Sequence, residues 1–263
     1  MEPSALRALF DAQVRQSTQP DGSGGLAERD QHVLRWVAVD GRGWSGITWS
    51  ELDPACADAV IAEQIAHFTG LGEPFEWKLY DYDAPADLDK RLAAAGFSAG
   101  DDEALMIAAV SNVPPVVALP DGVRLQPVTD ESGVELLIAV NEQVFGTEHS
   151  QLRAALLAQL DAAPELITLS VVMAGDEPVS SARIEFLPGR DFASLWGGGT
   201  LPAWRRRGIY RALVAHRAQL AAARGYRFLQ VDASAQSRPV LERLGFASLA
   251  VTTPFAWSPT QGA

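Results

Sequence analysis

The sequence predicts an α+β protein made of two related halves, each a mixed, mostly antiparallel sheet flanked by helices. Three observations carry this expectation. From residue 123 onward, runs suited to strands and runs of helical spacing follow in the order strand, two helices, three antiparallel strands, helix, strand, helix, strand. One closing unit occurs twice. A strand pattern over 76–83 leads to a helical run from Leu88 that stops at Gly96 and Phe97, and a strand ending at Asp232 leads to a short helix that stops at Gly245 and Phe246. A further apolar run follows each Gly-Phe pair, at 104–110 and 249–257. Finally, residues 112–122 carry Pro114, Pro115 and Pro120, which disfavour helix and suit an extended connector. The expected organisation is a first domain over 1–111, a linker over 112–122 and a second domain over 123–263.

In the first half, residues 47–54 lead into a helical run over 55–68, with Cys56 expected to be buried at its start. The second half opens with a short strand, 123–128, and two helices, 131–145 and 150–160. Residues 166–173 are dense in Leu, Ile and Val and read as a strand, with a turn at 175–178. Strands follow at 179–187 and 192–201. Gly197, Gly198 and Gly199 fall inside the second of these, where glycine marks a bulge or a close approach. A basic turn then opens into a helix over 209–223. Ser237 and Pro239 suit the start of the last helix, with Ser237 as its cap.

The stretch 200–213 carries the most chemistry. Arg205, Arg206 and Arg207 precede Gly208 at the mouth of the helix. The first turn of a helix leaves N–H groups unpaired and bears about half a positive charge. Beside three guanidinium groups, such a terminus suits a multiply charged anion such as a diphosphate.

The spacing Arg205-x-x-Gly208-x-Tyr210 resembles the Arg/Gln-x-x-Gly-x-Gly/Ala signature of the GCN5-related N-acetyltransferase (GNAT) family. Tyr210 departs from it, and its phenol ring must point away from the phosphates. The short helix ending in Leu244-Gly245-Phe246 resembles the family's second signature. The resemblance runs from Val123 to about Trp257. It implies acyl-CoA N-acyltransferase-like domains in tandem and acetyl-CoA as cosubstrate. The diphosphate would lie on Arg205, Arg206, Arg207, Gly208, Ile209, Tyr210 and Arg211, with Ser237 nearby. Thr200, Leu201 and Pro202 would receive the pantetheine arm and the acetyl carbonyl, a backbone N–H there polarising the thioester. The first half lacks the loop, and Glu51 and Asp53 would repel a diphosphate, so the resemblance implies a degenerate first domain.

Acetyl transfer to an amine needs a neutral nucleophile, and a Lys-like amine with a pKa of ~10.4 must lose a proton first. Glu185 is the candidate base, since Ser181, Arg183 and Glu185 alternate with Ala182, Ile184 and Phe186 along a strand. The competing reading pairs Glu185 with Arg183. Glu142 is the second candidate and His149 the third, while His216 is expected on a helix surface. Many relatives carry a Tyr in the last short helix as general acid; here that place holds Leu241, leaving Ser237, Tyr210 or solvent.

The net charge of −12 argues against nucleic acid as a partner. One cysteine excludes an internal disulfide and any cysteine metal cluster, and the four histidines show no ligand spacing, so no metal is expected. No basic-then-apolar leader and no long apolar run occur, so a cytoplasmic protein with no membrane partner is expected. The expected activity is transfer of acetyl from acetyl-CoA to a small-molecule amine by direct attack. The cleft would lie between the domains, walled by Trp44, Trp49, Trp77 or Trp196, in a monomer or homodimer. The alternatives are a non-catalytic acyl-CoA-binding regulator and a tandem enzyme resembling mycothiol synthases.

Overall fold

A computed structural model describes residues 1–39, 43–114, 118–146 and 150–259. The first half contains α1 (Pro3–Phe10), β1 (Leu26–Arg29), β2 (Val33–Val37), β3 (Gly46–Ser50), α2 (Ala57–Leu71), β4 (Phe75–Tyr80), α3 (Leu88–Ala94), β5 (Ser98–Ala99) and β6 (Glu103–Ala109). The second contains β7 (Val123–Val128), α4 (Glu131–Phe145), α5 (Ser150–Ala162), β8 (Ile167–Ala174), β9 (Glu177–Glu185), β10 (Phe192–Thr200), α6 (Ile209–Ala223), β11 (Phe228–Ala233), α7 (Arg238–Arg243) and β12 (Ala247–Trp257). Of the expected connector, residues 115–117 lie outside the described residues, and Val110–Asn112 form a 3-10 turn.

The strands join one sheet in the order β1-β2-β3-β4-β12-β6-β11-β10-β9-β8-β7, with β5 paired to β12. The order contains an exchange. β4 of the first half pairs with β12, the last strand of the second half. β11 of the second half pairs with β6, the last long strand of the first. The two closing units, β4–α3–β6 and β11–α7–β12, thus trade their final strands, and β12 and β6 pair with each other at the centre. Each half also holds one short parallel pair. β3 and β4 share only Gly46–Glu76 and Ile47–Trp77; β10 and β11 share only the three positions from Phe192–Phe228 to Ser194–Gln230. Beyond these positions no pairing joins β10 to β11, and the sheet is split there.

Strand parity assigns the two faces. On β9, Ala182 and Ile184 pack with Leu213 and Val214 of α6 in two adjoining apolar clusters, which also take in Leu241 and Leu244 around α7. Ser181 points the other way, to Asn141 of α4. That second face is covered by α4 and α5, through Val134, Leu137 and Leu156, and by α1, whose Phe10 packs among Tyr80, Leu105, Phe192 and Phe228. α6 comes close to its strands because its inner stripe is small: Ala212, Ala215, Ala218 and Ala221 are all buried.

Two local expectations are corrected. Ser237 occupies the N-cap position of α7 but accepts no hydrogen bond there. Its backbone is already helical (φ −83°, ψ −33°), and its hydroxyl donates to the Ser234 carbonyl instead. Cys56 stands at the start of α2 as expected but is only half-buried.

Candidate active site

The basic turn builds the mouth of a pocket. β10 ends at Thr200, Pro202–Trp204 form one 3-10 turn, and Arg205 returns to extended backbone. Arg206 (φ 64°) and Gly208 (φ 89°) then adopt left-handed conformations. A residue with a Cβ is strained there, so the conformation of Arg206 carries a backbone cost that the surrounding turn must offset. Gly208 is the N-cap of α6 and offers no side chain to it. The first intrahelical bond runs from the Ala212 N–H to the Gly208 carbonyl, so the N–H groups of Ile209, Tyr210 and Arg211 have no acceptor among the described residues.

These groups line a pocket of about 480 Å³. The expected residues that line it are Thr200, Arg205, Arg206, Gly208, Ile209, Tyr210, Arg211 and Ser237. Gly198 and Gly199, read from the sequence as a bulge or close approach, line it too, whereas sequence reasoning missed Val144 and Phe145 at the end of α4, Trp204, Ser234, Gln236, Val240 and Arg243. Leu201, Pro202 and Arg207 do not line it. The Leu201 N–H donates to the Val179 carbonyl at 2.9 Å and Pro202 has no N–H, so neither polarises a carbonyl in the pocket. Arg207 lies over the Trp204 ring, 4.5 Å from its centroid.

The first half has the opposite electrostatics at the equivalent turn. The Asp53 carboxylate accepts from the N–H groups of Ala55 and Cys56, both at 2.8 Å, just ahead of α2. Those bonds hold the Asp53 pKa below its ordinary value. An anion is thus already supplied by the chain itself.

Behind the loop, the split between β10 and β11 is lined by glycine. A register shift lies between Trp196 and Gly199, and Gly197 is left-handed (φ 55°). A Cβ on Gly199 would fall 2.8 Å from Val144 Cγ1, and one on Gly198 would fall 3.2 Å from Tyr210 Cε2. The Tyr210 ring therefore lies against β10. Burial raises its pKa and keeps the phenol protonated, against the opposing pull of Arg217 and the Ser237 hydroxyl. Arg217 is buried with no carboxylate beside it among the described residues; its guanidinium donates to the Leu213 and Arg183 carbonyls. Burial brings its pKa down to about 10.

The candidate bases separate. Glu185 lies on the α4 side of the sheet with its side chain 16% exposed, and its Oε1 is 3.4 Å from Arg183 Nε. The pairing weighed from the sequence is therefore present. Burial pushes the Glu185 pKa up, and Arg183 only partly opposes this. Its strand neighbour is Ser194, which sits at the last β10–β11 pair, so Glu185 stands level with the closed end of the split. Glu142 is exposed on α4, and the pocket is lined by Val144 and Phe145 instead. His149 lies outside the described residues. His216 is half-buried, its pKa lowered by burial and by Arg217.

The strand exchange adds charged groups that the sequence pattern did not single out. Lys78 on β4 reaches Asp232 on β11, Nζ to Oδ2, at 2.5 Å. Burial alone would lower the Lys78 pKa, but Asp232 and Glu76 outweigh it and hold the ammonium. Glu103 faces the same group. Of the four tryptophans expected as cleft walls, Trp77 is core, Trp49 lies beside Arg15, Trp44 is exposed and Trp196 adjoins Lys78.

Residues 134–246 match the model of the acetyltransferase (GNAT) family. No curated protein matches the sequence. The whole chain is similar in structure to a GCN5-related N-acetyltransferase from Kribbella flavida, with a TM-score of 0.68 and 16% identity over 99% of this chain and 96% of that one. It is also similar to a tandem GNAT protein from the clavulanic acid biosynthesis pathway (TM-score 0.57, 12% identity, 88% of this chain and 79% of that one). A third relative is a GCN5-related N-acetyltransferase from Sphaerobacter thermophilus (TM-score 0.58, 15% identity, 88% and 82%). At these identities the likeness is one of fold.

Proposed function

We propose that the protein is an N-acetyltransferase that moves an acetyl group from acetyl-CoA to the amine of a small molecule by direct attack. The observation that carries this reading is the uncapped N-terminus of α6, set among Arg205, Arg206, Arg211 and Arg243 and opening onto the β10–β11 split. Three unpaired N–H groups and four guanidinium groups match the charge of a diphosphate, and the glycine-lined split admits a thin chain. The chain's own residues thus fit acetyl-CoA, which supplies an activated thioester when bound. Ile209, Tyr210 and Arg211 would hold the diphosphate through backbone N–H groups, and Gly197 and Gly198 are the positions where β10 backbone could meet the acetyl carbonyl. Glu185, its pKa raised by burial, suits a proton acceptor for the amine. The first half would bind no cofactor, because Asp53 already caps its equivalent turn. The acceptor would be a small molecule; a chain of net charge −12 does not suit nucleic acid.

A non-catalytic acyl-CoA binder is the second reading. It is favoured by the fully buried Leu241 at the place where the family resemblance calls for a phenol. Titration calorimetry with acetyl-CoA and thiol release against a panel of amines test both. The expected result is one acetyl-CoA site per chain and thiol release that depends on an amine. Arg211→Glu, a change at an exposed position, is expected to weaken acetyl-CoA binding about tenfold or more, ~1.4 kcal/mol. Unchanged affinity in this variant would remove the anion-loop assignment, and binding without release would favour the second reading.

A further inference from the structure

Behind the basic loop, the pocket meets the β10 bulge, and the bulge is pinched from both faces of the sheet. Gly197, Gly198 and Gly199 carry no side chains, yet the space that side chains would take is filled. A Cβ on Gly199 would fall 2.8 Å from Val144 Cγ1, which reaches over the strand from the last turn of α4. One on Gly198 would fall 3.2 Å from Tyr210 Cε2 and 3.3 Å from Arg217 Nη2, both on α6. One on Gly197 would fall 3.2 Å from Asn141 Oδ1. The helices α4 and α6 cover opposite faces, so Val144 and Tyr210 close on the bulge from opposite sides. Both line the pocket, together with Gly198 and Gly199.

These walls are held in place. Val144 is β-branched and helical, so one χ1 rotamer dominates. The Tyr210 ring packs against the apolar cluster that holds Leu241 and Leu244. Asn141 is buried, its Nδ2 donating to the Leu137 carbonyl at 3.0 Å and to Ser181 Oγ at 3.2 Å. Arg217 is fixed by its bonds to the Leu213 and Arg183 carbonyls. If an acyl carbonyl meets the backbone of Gly197 or Gly198, the carbons beyond it lie between these side chains. Each added methylene must then push a packed wall aside. In a tight apolar site one methylene separates ligands by about 10- to 200-fold. Tyr210 is also the position where the sequence departs from the small residue of the signature, and a small residue there would leave the α6 face open.

We propose that Val144 and Tyr210 form a gate of fixed width that sets the acyl group of the donor, admitting acetyl and refusing straight chains of four carbons. The proposal rests on the acetyl-CoA reading of the pocket but not on turnover. Calorimetry with CoA, acetyl-CoA and butyryl-CoA tests it in the wild type, Val144→Ala and Tyr210→Ala. Neither substitution removes a backbone N–H from the loop. The readout is the ratio of the butyryl-CoA and acetyl-CoA dissociation constants within one protein, so a general loss of affinity cancels. The wild type is expected to favour acetyl-CoA by about tenfold or more, and at least one variant to bring the two within about threefold. An effect of Val144→Ala would place the acyl chain on the α4 face, and an effect of Tyr210→Ala on the α6 face. Melting temperatures show which variants fold, and Tyr210→Ala restores the residue type of the signature. A wild type that binds both acyl-CoAs equally would overturn the gate, as would folded variants that keep the wild-type ratio. CoA binding with unchanged ratios would remove the gate alone, whereas a wild type with no affinity for CoA would remove the acetyl-CoA reading and the gate with it.

Discussion

Glu103 stands half-buried on β6, with Lys78, Asp232 and Glu76 around it. Burial pushes its pKa up to about 7; Lys78 pulls it back, and Asp232 and Glu76 push it further up. An unfolded glutamate titrates near ~4.3. Between these values the folded chain binds a proton that the unfolded chain has lost, so stability falls as pH rises through this window. The shift would be worth about 3 kcal/mol if Glu103 were fully shielded, and solvent screening reduces this to about 1–2 kcal/mol. Denaturant unfolding at pH 4 and pH 8 should show Glu103→Gln gaining this much over the wild type at pH 8 and little at pH 4. Equal differences at the two pH values would place the charge of Glu103 in solvent. At this scale the sequence revealed the groups that are contiguous in it: Arg205 to Arg211 follow one another around the start of α6, and their spacing alone marks a candidate anion site. Lys78, Glu103 and Asp232 come from three separate strands, and only the strand exchange brings them together. Parity puts each on a face, but it does not say which strand lies next door.

The two helices that follow a parallel-pair strand, α2 and α6, differ at the turn that precedes them. α6 starts at a left-handed glycine with its N–H groups open, while α2 is preceded by Asp53, which accepts from Ala55 and Cys56. Asp53→Ala is expected to lower the melting temperature slightly, since the N–H groups of Ala55 and Cys56 lose their acceptor. It should not create a second acetyl-CoA site, because that turn also lacks the arginines and the left-handed glycine. Calorimetry should still give one site, and two sites would show that Asp53 alone had closed the first half. Elements with strong periodicity were legible almost to the residue: 131–145 and 209–223 are α4 and α6. The first 40 residues were not. β1 and β2 are four and five residues long, too short for alternation to stand out. α1 becomes informative only once Phe10 is seen against Tyr80 and Phe192. The Ser237 cap failed because residue type signals a cap only when the backbone there is extended, and it is not.

At the scale of the molecule, the repeat read from the two Gly-Phe closing units is present, but its consequence depends on pairing that no repeat encodes. A closing strand can return to its own half or cross to the other, and local sequence favours both equally. Here β6 and β12 both cross, so β12 is paired with β6 from Ala247 to Thr252 and with β4 from Thr252 to Trp257. Neither half keeps a complete sheet without its partner. Cutting the chain at the connector would leave β11 with an open edge where β6 lay, and β4 with another where β12 lay. Long unpaired edges of this kind associate with other chains. Thermal unfolding of the whole chain should therefore be one cooperative transition, with the calorimetric enthalpy equal to the van't Hoff enthalpy. Residues 118–263 expressed alone should form dimers or aggregates, since β12 has lost both of its neighbours from the first half. Two resolved transitions, or a monomeric and well-folded 118–263 fragment, would show that the halves are independent domains. The same exchange places Lys78 against Asp232, so a fragment without the first half also loses this buried ion pair.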